Sequence, residues 1–209
     1  MTAIIVRDIE QSTPEWHALR SGIPTASCFD KIVTPAKLEA SKSAGDYLMQ
    51  LLAEWLSGQH TETYTSGWMA RGVECEAEAR DFYSFAETEV EQVGFVYSDD
   101  RRIMGCSPDG LIGDDGVLEI KCPAPKTHLG YLLNGGLDAD YRMQIYGSLL
   151  VTGRKFCDIM SYCSGLPEVI VKVQRDAAVL TAMTLHLEAF IAKMLTARED
   201  LIARGYSPK

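Results

Sequence analysis

Apolar positions recur along the chain at two spacings, one helical and one alternating. The helical spacing is strongest over 43–56 (Tyr47, Leu48, Leu51, Leu52, Trp55, Leu56) and 176–203 (Leu180, Met183, Leu187, Phe190, Ile191, Met194, Leu195). It also marks 66–87, with Cys75, Ala79, Phe82 and Ala86 as the core stripe and Glu76 at its border, and 138–150, with Tyr141, Ile145 and Leu149. Shorter helices are predicted over 13–22, 24–33 and around 127–133. In the first of these Thr13 stands at the N-cap and Pro14 at the first helical position. Strands are expected at 4–7, 93–97, 102–106, 157–162 and 168–173, and around Glu119 and Lys121. The polar, basic stretch 35–43 reads as a surface loop. With no internal repeat or low-complexity linker, the pattern predicts one domain over 1–209, an α/β fold with a central mixed β-sheet flanked by helices.

The stretch from Gly105 to Pro123 stands apart from this pattern. It reads as a strand end, a Pro-Asp-Gly turn, a turn at Asp115-Gly116 and a strand bearing Glu119 and Lys121. Side chains alternate on a strand, so Glu119 and Lys121 face one way while Leu118 and Ile120 point into a core. A hairpin or bulged fold-back brings Asp109 beside them. Asp109 and Glu119 then form a divalent-metal site, with the carbonyl of Ile120 as a further oxygen ligand. Lys121 is placed to orient a water or steady negative charge, and Glu76 is the helix carboxylate best placed to join them. Each feature alone has a plain structural reading: Asp in Pro-Asp-Gly is a turn former, and Glu-x-Lys is a solvated strand face.

Composition narrows the classes. Apolar residues make up 46% of the chain and charged ones 23%, as in ordinary globular domains. No apolar run reads as a membrane span, and the N-terminus lacks a signal-peptide pattern, so a cytoplasmic location and no membrane partner are expected. Six cysteines without a Cys-x-x-Cys pair leave a zinc ribbon unsupported. The net charge of −9 argues against a uniformly basic nucleic-acid surface, but says nothing about a basic cleft or channel in an acidic shell.

Ser107-Pro-Asp-Gly-Leu followed by Glu119-Ile-Lys-Cys-Pro resembles the core of the PD-(D/E)XK nucleases. More closely, the chain resembles the phage lambda alkaline exonuclease, or YqaJ-type viral recombinase, family. The likeness includes Glu15-Trp-His-Ala-Leu-Arg-Ser-Gly, Thr25-Ala-Ser, Gly72-x-x-x-Glu76-x-x-Ala-Arg80 and Met143-Gln144-x-Tyr146, in order, and spans about residues 10 to 175. The resemblance implies a Mg²⁺-dependent 5′-to-3′ exonuclease, with Mn²⁺ as a substitute, that digests one strand of duplex DNA to mononucleotides and leaves a 3′ overhang. It implies Asp109 and Glu119 as metal ligands, Lys121 as catalytic lysine and Glu76 as the helix carboxylate. Arg20, Ser27, Ser107 and Gln144 would form a 5′-phosphate pocket, and Met69 would be a wedge between the strands. It further implies a homotrimeric ring around DNA, with Lys37, Lys42, Arg71 and Lys126 available to line the channel, and a single-strand annealing protein as partner. The same core also serves endonucleases of the restriction or junction-resolving type, and a non-catalytic DNA-end-binding protein is the reading from another class.

Overall fold

The computed structural model describes residues 2–61, 67–137 and 139–208, without the side chains of 67–74. Its elements follow the order β1 (Ile4–Val6), α1 (Pro14–Arg20), a 3-10 turn (Ala26–Lys31), α2 (Ala44–Ser57), α3 (Gly67–Ala86), β2 (Phe95–Tyr97) and β3 (Gly105–Cys106). Then come β4 (Gly110–Ile112), β5 (Gly116–Lys121), α4 (Pro125–Asn134), a 3-10 turn (Ala139–Tyr141) and α5 (Arg142–Thr152). β6 (Phe156–Ser161), β7 (Val169–Gln174) and α6 (Ala177–Ala203) complete it.

The fold is mixed α/β, with two sheets where the pattern suggested one. β1-β2-β3 form an antiparallel sheet, and β4-β5-β6-β7 a mixed one in which β5 and β6 run parallel. The expected strand 102–106 shrinks to Gly105–Cys106 because Arg102 takes a positive φ of 55°. Pro108, between β3 and β4, has no N–H to donate and separates the two ladders. The parallel pair needs a long crossover, which α4 and α5 supply.

The second sheet is buried on both faces. Leu118, Ile120 and Met160 pack with Ala79 and Tyr83 of α3 on one side. Val117, Cys157 and Ile159 pack with Ile145 and Leu149 of α5 on the other. The α3 stripe therefore ends on Tyr83, while Ala86 is exposed. A larger core joins Phe29, Tyr47, Leu51, Met143, Met183 and Phe190.

α1 begins as predicted, with Thr13 Oγ1 accepting the Trp16 N–H. The predicted helix at 24–33 is a six-residue 3-10 turn. The 35–43 stretch is pinned rather than open: Thr34 pairs with Glu39, Arg142 donates to the Pro35 carbonyl, and His186 contacts the Leu38 carbonyl. α6 is long and apolar enough by composition to cross a membrane, which the sequence pattern did not flag. One of its faces (Val179, Leu180, Met183, Leu187, Phe190, Met194) is buried in the protein core.

α5 meets the 3-10 turn at Gly147, where a Cβ would lie 2.7 Å from Phe29 Cδ2 and 2.9 Å from Ala26 Cβ. Gly130 in α4 has open space at the same position. Helix propensity favours alanine over glycine by about 1 kcal/mol, whereas overpacking costs about 1–3 kcal/mol. Gly130→Ala is therefore expected to raise the urea unfolding midpoint and Gly147→Ala to lower it. A gain from both would show that α5 is not in tight contact with the turn.

Candidate active site

The site begins at the β4–β5 hairpin, whose register pairs Gly110 with Leu118 and Ile112 with Gly116. The Asp109 N–H donates to the Leu118 carbonyl, so pairing extends one residue past β4 and sets Asp109 beside Glu119. Asp109 Oδ2 then accepts the Ile120 N–H at 2.6 Å. The fold-back expected from the turn residues is thus present, tied by the aspartate's own side chain.

Glu119 does not lie on a solvated face; it is 1% exposed. Ser148 Oγ donates to its Oε1 at 2.7 Å, and Gln144 Nε2 to its Oε2 at 2.6 Å. Lys121 Nζ stands 3.7 Å from Oε2 and 5.4 Å from the centre of the Tyr141 ring. Burying a carboxylate costs several kcal/mol even after relaxation. The apolar Leu118 and Ile120, worth about 1.5–3 kcal/mol each when buried, help hold the strand that carries it.

α3 brings Glu76 to the same place and is tethered along its length. Arg80 Nε donates to the Asp109 carbonyl at 2.8 Å. Tyr162 and Ser164 donate to Glu78, and the Tyr83 hydroxyl donates to Asp158. The electrostatics record the crowding. Burial, then Asp109, push Glu76 up to about 7, against the pull of Lys121 and Arg80. Burial pushes Glu119 up to about 7 and raises Asp109 above the usual carboxylate range, with Lys121 opposing both. Burial alone would lower Lys121, but Glu119, Asp109, Tyr141 and Glu76 hold it above an ordinary lysine, so it stays an ammonium.

Three carboxylates and one ammonium leave a surplus of negative charge with oxygen-only donors, which suits a hard divalent cation such as Mg²⁺. Among the described residues no three Asp, Glu, His or Cys side chains are grouped so that they could hold a metal ion together. An ion held by the two carboxylates Asp109 and Glu119 with a backbone oxygen would keep open positions for water and phosphate, which is how Mg²⁺ is usually held. The residues fit the group.

A second cluster lies at the C-terminal end of α1. Arg20 Nη1 donates to Ser107 Oγ at 3.3 Å, and Trp16 Nε1 donates to the same oxygen at 3.0 Å. The guanidinium lies 4.0 Å over the Trp16 ring. Its Nε is buried without a hydrogen-bond partner among the described residues, and burial lowers its pKa. Thr25 bridges to Gly105, and the exposed Ser27 has its Oγ 3.4 Å from Thr25 Oγ1. Of the four residues expected in a phosphate pocket, Arg20 and Ser107 touch, Ser27 contacts Thr25, and Gln144 engages Glu119. Met69 and Arg71 lie outside the described side chains, while Lys37, Lys42 and Lys126 are exposed.

Residues 15–155 match the model of the YqaJ-like viral recombinase domain. The chain belongs to the YqaJ-like viral recombinase family. Among solved structures, this YqaJ-like chain is similar to the alkaline exonuclease LHK-Exo of Laribacter hongkongensis, at 32% identity and a TM-score of 0.82, over 92% of this chain and 98% of that one. The same enzyme in complex with dAMP matches at 31% identity and a TM-score of 0.81, with the same coverage. A phage-related exonuclease from Haemophilus somnus shares the fold at 12% identity and a TM-score of 0.65, over 90% of this chain and 98% of that one. No curated protein sequence matches.

Sequence reasoning missed Ser148 and Tyr141. Ser148 lies four residues after Gln144, on the same helix face one turn on, so a polar residue in an apolar stretch at that spacing was its signal. Tyr141 was read only as part of an apolar stripe.

The raised carboxylates carry a sign. Glu76 and Glu119 have folded values of about 7, above an unfolded value of about 4.3, so the stability linked to them is complete below about pH 4 and lost as pH rises through 7. The metal-free protein should melt at a lower temperature at pH 8 than at pH 6. Glu76→Gln should raise the pH 8 value and leave a smaller difference between the two. Equal melting at both pH values, or destabilisation by Glu76→Gln at pH 8, would contradict the crowding.

Proposed function

We propose that this protein is a Mg²⁺-dependent exonuclease that digests one strand of linear double-stranded DNA from its 5′ end to mononucleotides, leaving a 3′ overhang for recombination by annealing. Mn²⁺ is expected to substitute. The observation that carries the reading is the Asp109–Glu119–Lys121 cluster at the end of β5, sharing Glu76 with α3. A separate arginine seat lies near it through Ser107, two residues from Asp109. Family membership and the likeness to an alkaline exonuclease crystallised with dAMP, a mononucleotide, support it.

Bound magnesium supplies Lewis-acid charge relief at the phosphoryl oxygens. Asp109 and Glu119 would hold it, with the Ile120 carbonyl and Glu76 completing the donors. Gln144 and Ser148 fix the Glu119 carboxylate so that it need not reorganise during the reaction. The Lys121 ammonium orients the attacking water and steadies negative charge on the phosphoryl group. Water adds to phosphorus and the bond to the 3′ oxygen breaks, so a 5′-mononucleotide leaves. The remaining strand carries a new 5′-phosphate, which fits the same seat for the next cycle. Arg20, with Ser107 and Ser27, is that seat: a guanidinium with a spare N–H and two hydroxyls suits a terminal phosphate.

The reading extends to assembly as a ring of three copies around the duplex, with a single-strand annealing protein on the emerging 3′ strand. Exposed apolar side chains such as Leu133 at 79% and Leu185 at 66% are the kind of surface an assembly covers.

On linear duplex DNA with Mg²⁺, mononucleotide release is expected from 5′-phosphorylated ends, slowed by dephosphorylation, while closed circles stay intact. Arg20→Ala should abolish the effect of the phosphate, and Lys121→Ala should lower the rate about 10²–10³-fold. Cleavage of closed circles would establish an endonuclease instead. Full activity of Lys121→Ala would remove the catalytic assignment.

A further inference from the structure

Glu54 sits in the last turn of α2 and is 1% exposed. A carboxylate there is disfavoured twice, by burial and by the negative end of the helix dipole. It is nevertheless richly supplied with donors. Oε2 accepts the Gly22 N–H at 3.0 Å, and Oε1 accepts Gln50 Nε2 at 2.9 Å and the Thr61 N–H at 3.2 Å. His60 Nδ1 lies 3.4 Å from Oε2. Burial would raise its pKa, but these donors and His60 outweigh burial and bring it below the usual value, so the group is ionised at neutral pH.

The two backbone amides come from segments far apart in sequence. Gly22 lies two residues after Arg20, and Thr61 lies six residues before α3, the helix that carries Glu76. Both backbone polar groups of Gly22 are engaged, because its carbonyl accepts from the Arg198 guanidinium of α6. Its φ of 75° admits glycine, and a Cβ there would meet Trp55 Cβ at 2.8 Å. Arg20 and Glu54 face a common cavity of about 60 Å³, together with Thr25, Lys31 and His60. The turn after Arg20 and the segment that follows α2 therefore share one anchor.

We propose that Glu54 is a positioning residue that holds the turn after Arg20 in place through the Gly22 N–H, so that seating a 5′-phosphate is converted into faster cleavage. The proposal rests on the reading of Arg20 as the phosphate seat. Glutamine at this position keeps one acceptor oxygen but turns an amide toward one of the two backbone N–H groups. A group that merely stabilises the fold would, when replaced, lower melting temperature and slow all substrates together. A positioning group changes the preference between substrates instead.

The experiment compares kcat/KM on linear duplexes with 5′-phosphate and 5′-hydroxyl ends for wild type, Glu54→Gln and Arg20→Ala, with melting temperatures measured alongside. Glu54→Gln is expected to reduce the phosphate preference about tenfold through the 5′-phosphate substrate, with the rate on 5′-hydroxyl ends nearly unchanged. Should Glu54→Gln fail to fold, Thr61→Pro, which removes one of the two backbone donors to Glu54 and fixes φ at that position, is expected to reduce the preference in the same way and takes its place. If Arg20→Ala retains the preference, the phosphate-seat reading fails. If Arg20→Ala loses it while Glu54→Gln, or Thr61→Pro in its place, keeps it or slows both substrates equally, the role of Glu54 is overturned.

Discussion

Burial of three carboxylates, Asp109, Glu119 and Glu76, around one lysine is the constraint on which the structure turns. The three carboxylates gather at the end of β5 with Lys121 as the main opposing charge; burial drives all three toward their protonated forms, and the charge of Asp109 adds to it at Glu76 and Glu119. Such a cluster persists only if the surrounding structure holds it. The Ile120 N–H holds Asp109, Ser148 and Gln144 hold Glu119, and tethers at Glu78, Arg80 and Tyr83 hold α3 against the sheet. The buried apolar faces of β5 and β6 supply the stability that these groups withdraw.

The same arrangement explains the position of α5. Its Gly147 lets it press against the 3-10 turn, and its next residue, Ser148, then reaches Glu119 from the opposite side. One helix thus packs the core, orients a carboxylate and abuts the segment bearing Ser27. The carboxylate site and the proposed phosphate seat are linked by short stretches of chain: Ser107 to Asp109 along one, and Thr25 to Gly105 across another.

Much of this was legible in the sequence because it is local. Alternation on β5 separated Leu118 and Ile120 from Glu119 and Lys121, and the Pro-Asp-Gly turn announced the fold-back of Asp109. Helix spacing found α2, α3, α5 and α6, and cap and breaker residues found α1 and α4. What escaped is non-local. No pattern within 102–106 shows that Arg102 turns the chain, or that Pro108 separates two sheets. The burial of Glu119 depends on α5, and the choice of Tyr83 over Ala86 on α3 depends on where Asp158 lies. Gln144 was expected beside Arg20 by resemblance; its contact with Glu119 comes from helix packing.

The most direct test of the crowded-carboxylate account is the proton balance of Mg²⁺ binding. Calorimetric titration of Mg²⁺ at pH 7, in two buffers of different ionisation enthalpy, measures the protons released. With Glu76 and Glu119 held near 7, the account predicts about one proton released at pH 7 and little at pH 9. Binding with no proton release at pH 7 would show that the carboxylates are already fully ionised, and would contradict it.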